Sequence, residues 1–69
     1  KEYVGKRIKV NGTGTYEREE FMFLLGLQGK GSVNGYEISA GETLFIPAHS
    51  GQLNIIGENL DMALLSYID

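Results

Sequence analysis

Ser32-Val33-Asn34-Gly35-Tyr36-Glu37-Ile38 and, just beyond it, Thr43-Leu44-Phe45-Ile46-Pro47 decide the fold class of this chain. Asn-Gly between two apolar-alternating runs is the strongest short-range hairpin signal, because a type I′ turn needs positive φ at both central residues. The second run alternates across a sheet and ends at Pro47, which has no N–H to give a ladder.

Working outward, residues 3–10 read as a first strand, and Asn11-Gly12-Thr13-Gly14 as a hairpin or corner. A second extended piece starts at Thr15 and Tyr16, passes through Glu17-Arg18-Glu19-Glu20 and becomes the apolar run of residues 21–27. That run is too short, and too rich in Phe and Gly, for a helix. Ala40-Gly41-Glu42 forms a turn, residues 52–56 a strand, Gly57-Glu58-Asn59 a turn and residues 60–67 the last strand. Short strands between turn signals predict an all-β sandwich or barrel of about eight strands in a single domain spanning residues 1–69.

Neither face of the 21–27 run is polar. Phe21, Phe23, Leu25 and Leu27 share one face and Met22 and Leu24 the other; in the last strand Met62 and Leu64 oppose Ala63, Leu65 and Tyr67. A small two-layer domain buries one face of each strand, so the other is expected to meet the curl of the barrel or a protein partner, including a second copy of the chain. The interior is expected to draw on Phe21, Phe23, Leu25, Leu27, Val33, Ile38, Leu44, Ile46, Leu53, Ile55, Met62 and Leu64, divided between core and partner face.

The balance of 6 basic and 9 acidic residues, a net charge of −3, leaves no basic field for nucleic acid or an anionic membrane. With 42% hydrophobic residues the chain has the composition of a folded domain. It has no Cys, which fits a reducing cytoplasm. No apolar run approaches a membrane span, and the first residues have no signal-peptide core. The chain begins with Lys1 rather than Met, as a segment cut from a longer polypeptide would.

Candidate chemistry is sparse. His49 is the only imidazole, and it is expected to be a loop side chain after Pro47. Ser50 beside His49 makes no catalytic pair, since adjacent side chains rarely face each other. Glu17, Glu19 and Glu20 read as solvated charges flanking an apolar strand. Lys6, Arg7 and Lys9 read as decoration of an exposed strand. Gly29-Lys30-Gly31 lacks the helix a phosphate loop requires.

The segment from Gly41 through Pro47, preceded by residues 29–33 and the Asn34-Gly35 hairpin, resembles the second motif of the cupin superfamily, G(x)5PxG(x)2H(x)3N. The resemblance implies a double-sheet jelly-roll barrel. Along that motif His49 takes the second Gly position, Gln52 the metal-binding His position and Ile56 the terminal Asn position. In the first motif Gly29 matches the last Gly, which puts Met22 at the Glu ligand and Thr15 with Glu17, or Tyr16 with Arg18, at the two His ligands. These side chains do not make a metal site, because a thioether suits only soft metals. No metal or cofactor is therefore expected in this chain.

Read from end to end, the chain resembles the C-terminal domain of type I mannose-6-phosphate isomerases of the short bacterial kind. The resemblance rests on Gly41 to Ala48, on the strand ending at Ile56-Gly57, and on the closing Ser66-Tyr67. It implies a non-catalytic domain without catalytic residues of its own. The zinc and the isomerase chemistry, interconverting mannose 6-phosphate and fructose 6-phosphate, would lie in an upstream catalytic cupin domain of the same polypeptide, in the cytoplasm. The alternative is a free-standing, metal-free cupin module that holds a small polar ligand at the barrel mouth near Tyr16, His49 and Gln52.

Overall fold

The computed structural model describes residues 2–68, and the side chains of residues 4–66. The chain is all-β: β1 (Glu2–Glu17), β2 (Met22–Val33), β3 (Tyr36–Ser39), β4 (Thr43–Ile46) and β5 (Gln52–Ile68). They form one antiparallel sheet in the order β1-β5-β2-β3, with β4 also paired to β2. The sheet is not closed into a barrel, since β1 lies along one margin and β3 and β4 along the other. Among the described residues no helix is long and apolar enough to cross a membrane.

Five strands stand where about eight were expected, because the expected breaks at residues 11–14 and 57–59 are bends within long strands. Val10/Gly12 shifts the β1–β5 register, and Gly26/Gln28 and Gln28/Lys30 shift the β2–β5 register. Such irregularities bend a strand without ending it. Residues 52–56 and 60–67 are thus parts of β5, and Asn59, at φ 49°, changes which residues face inward. A straight strand of 17 residues would be roughly 55 Å long, yet the molecule's longest extent is 33 Å. Lys6 and Tyr16 on β1 show the same folding back: the Lys6 Nζ lies 5.4 Å from the Tyr16 ring centre.

The bends lay one half of the sheet over the other. Met22, Leu24, Ile46, Met62 and Leu64 from one half meet Val33, Ile38, Leu53 and Ile55 from the other, with Leu60 near the bend. Each fully buried Leu or Ile contributes about 1.5–3 kcal/mol relative to exposure. At the corner the backbones approach so closely that only Gly fits: a Cβ on Gly29, already at φ 74°, would stand 2.1 Å from the Asn59 carbonyl oxygen.

The expected hairpin is present. Asn34 and Gly35 have φ of 50° and 86°, as a type I′ turn requires. Gly41 turns the chain at φ 87°, with the Glu42 N–H donating to the Ser39 carbonyl at 3.0 Å. The acidic stretch is different from expectation: β1 ends at Glu17, and residues 18–21 form a break rather than a continuous strand.

The division of the β2 faces, left open by the sequence, goes to Met22 and Leu24 as the inward pair. Met22 and Leu24 are each 1% exposed, whereas Phe23 is 40% and Leu27 41% exposed. Phe21 and Leu25 are half-buried, so this set is the outer face and not the core. Across the register Met22 meets Ser66 and Leu24 meets Leu64, so the inward parity of β5 decides that of β2. Leu60 joins the core, and Leu44 only packs against it. Tyr67's expected face lies outside the described side chains.

Candidate functional site

The end of the molecule away from the bends gathers the loops of residues 18–21, 34–35 and 47–51, and Tyr16, His49 and Gln52 all belong to it. Tyr16 stands opposite Leu53, and Gln52 opposite Glu17. Because neighbours on a strand point to opposite faces, Tyr16 and Gln52 diverge. Tyr16 is half-buried against the core and under Lys6, while Gln52 is exposed on the outer side. His49 is exposed at φ 61°, and its N–H donates to the Glu19 carbonyl at 2.8 Å. The three side chains are brought to one end but not into one pocket wall.

Other polar residues here build the loops. The Ser50 hydroxyl donates to the Pro47 carbonyl at 2.6 Å, so it is directed to backbone. Arg18 donates to the Ser66 hydroxyl at 3.2 Å and pairs with Glu20 at 3.4 Å, and Ser66 in turn donates to the Phe21 carbonyl at 2.6 Å. That chain of contacts gives the break after β1 its shape. Among the described residues no three His, Cys, Asp or Glu side chains converge as metal ligands.

Two features stand out that depend on more than one strand. The first is aromatic. On the outer face Phe23 lies opposite Phe45 of β4 on one side and Leu65 of β5 on the other. Phe45 is 55% and Leu65 50% exposed. Phe21 completes the cluster, with ring centres 5.7 Å from Phe23 and 5.9 Å from Phe45. Aromatic pairs at such distances add stability beyond their buried area, yet this cluster leaves much of its surface in water. The apolar parity of residues 21–27 did signal a second apolar face; pairing with Phe45 and Leu65 is what makes it continuous.

The second feature is a cleft of about 340 Å³ where the two halves of the sheet part, between the β2–β3 hairpin and the end of β4. Tyr36, Leu44 and Pro47 are among its walls, with Val33 and Leu53 behind them. The remaining clefts are more charged. One of about 470 Å³ is lined by Lys30, Glu37, Glu42 and Glu58 among others, and another of about 490 Å³ by Lys9 and Asp61.

Beside the aromatic face, Arg7 makes a two-pronged pair with Asp61, its Nε donating to Oδ1 at 3.0 Å and its Nη2 to Oδ2. Hydrogen bonding to Arg7 holds the Asp61 carboxyl below the usual carboxylate range, against the opposing effect of burial; the charges of Arg7 and Lys9 add to the lowering. Arg7, Lys6 and Lys9 are exposed on the margin strand β1. Charges there oppose further strand pairing.

Comparison of the chain with protein-family models, with curated proteins and with solved structures found no match.

Proposed function

We propose that this chain is a non-catalytic packing domain that seats its outer aromatic face against a neighbouring protein surface. The observation that carries this reading is the unbroken row Phe45, Phe23 and Leu65 across β4, β2 and β5, each residue at least 40% exposed. Contiguous exposed apolar side chains of this kind mark contact surfaces, and aromatic residues are enriched at their centres.

The neighbour implied by the sequence resemblance is the upstream, zinc-binding cupin domain of a mannose-6-phosphate isomerase. In this reading the chain is the C-terminal, cupin-like domain of that enzyme. The sugar-phosphate chemistry belongs to the neighbour, and no step of it is assigned to a residue here.

Hydroxyl-radical footprinting tests the reading. Phe23, Phe45 and Leu65 are labelled in the isolated chain and in the polypeptide extended upstream through the natural reading frame. Protection of these residues in the longer protein is expected. Equal labelling overturns the packing role, and an upstream sequence without a zinc-binding cupin overturns the identity of the neighbour.

A further inference from the structure

The cleft between the β2–β3 hairpin and the end of β4 differs from the aromatic face in shape and from the other clefts in charge. Its lining includes Asn34, Tyr36, Phe45 and Pro47 and contains no ionised side chain. Its volume of about 340 Å³ lies at the small end of ligand pockets. Two of the polar atoms present are engaged with the protein itself: the Asn34 Oδ1 accepts the Asn54 N–H at 2.7 Å, and the Ser50 hydroxyl donates to the Pro47 carbonyl. A charged or polyhydroxylated guest would lose hydration there with no opposite charge to replace it. A flat apolar guest would displace water from Leu44, Pro47 and the Tyr36 ring while leaving those internal hydrogen bonds intact.

We infer that this cleft is a binding site for a small uncharged molecule carrying an aromatic ring. The hairpin turn Asn34-Gly35 fixes one wall, and its Asn54 contact ties that wall to the start of β5. The opposite wall is the end of β4, where Pro47 stops the strand. The site is thus largely preformed, and its floor is the domain's own core, represented by Val33 and Leu53. The ligand class differs from the small polar molecule expected at Tyr16, His49 and Gln52. The inference does not rest on the packing role: Phe45 belongs both to the lining and to the outer row, but Tyr36, Leu44, Pro47, Val33 and Leu53 belong to the cleft alone.

Indole serves as the probe, followed by amide and methyl chemical shifts of the isotope-labelled chain. Saturable shifts centred on Tyr36, Leu44 and Leu53 are expected. Leu44→Lys is expected to weaken binding at least tenfold, and Tyr36→Ala, at an exposed position, to weaken it by a smaller factor with the fold unchanged. Leu65→Ser, on the outer face, is expected to leave it unaltered. Absence of saturation, shifts centred on Phe23 and Leu65, or an affinity insensitive to both cleft variants would overturn the assignment. So would equal binding of mannose or inorganic phosphate at the same residues.

Discussion

Phe23 of β2 and Phe45 of β4 stand directly opposite one another on the outer face, their ring centres 5.1 Å apart and their planes inclined at 52°. Phe23 remains 40% and Phe45 55% exposed, so their mutual contact removes only part of the apolar area from water. Left uncovered, the face is an apolar strip on a domain whose size gives it little stability to spare.

The isolated chain is therefore expected to self-associate through this strip. Light scattering over a concentration series should show the average mass rising toward that of a dimer. The double variant Phe23→Ser, Phe45→Ser should stay monomeric. Because both side chains are substantially exposed, the cost in folding stability should be about 1–2 kcal/mol, well below that of a core truncation. A monomeric wild-type chain at high concentration would remove self-association from the account.

The Arg7–Asp61 pair gives a pH dependence with a definite sign. Asp61 binds its proton less readily in the folded chain than in the unfolded one, chiefly through its hydrogen bonds to Arg7. The pair's contribution is consequently complete above the ordinary carboxylate range and is lost as pH falls through the lowered folded value. Asp61→Asn should lower the urea midpoint at neutral pH, and its difference from wild type should shrink on acidification. A difference that stays constant to low pH would show that the pair contributes through packing alone.

Gly29 tests the corner. Its positive φ costs an Ala about 1–2 kcal/mol, as at Gly35, where an added Cβ would meet nothing within 4 Å. At Gly29 the Cβ would also strike the Asn59 and Glu58 carbonyl oxygens at 2.1 and 2.6 Å. Denaturant titration should find Gly35→Ala modestly destabilised and Gly29→Ala destabilised by more than about 4 kcal/mol, or unfolded. Similar losses in the two variants would mean that the corner can relax to admit a side chain.

That corner also shows where sequence reading stopped. The hairpin at Asn34-Gly35 was legible because the turn's backbone requirement falls on two adjacent residues and both supply it. Gly12, Gly29 and Asn59 announce positive φ just as clearly. Whether such a residue reverses a strand or bends it depends on which strand lies alongside, however, and β5 pairs continuously past each of them except at short irregularities. The site was legible in the same partial way. Tyr16, His49 and Gln52 share one end of the molecule, but strand alternation separates Tyr16 from Gln52. The cleft walls come from the hairpin, β4, the following loop and β5, so no local stretch encodes them.

Counting apolar residues left the inward face of β2 undecided. Phe21, Phe23, Leu25 and Leu27 outnumber Met22 and Leu24, but β5 offers Leu64 and Ser66 inward at the matching register positions. Burial then follows the partner strand instead of the local tally. Leu24→Ala should cost about 2–5 kcal/mol, because it empties a site that is 1% exposed. Leu65→Ala, on the outer face at 50% exposure, should cost under about 1 kcal/mol. Urea unfolding of the two variants separates the faces directly: a larger loss at Leu65 than at Leu24 would mean that the strip through Phe23 and Phe45 is the true core and that β2 is inverted.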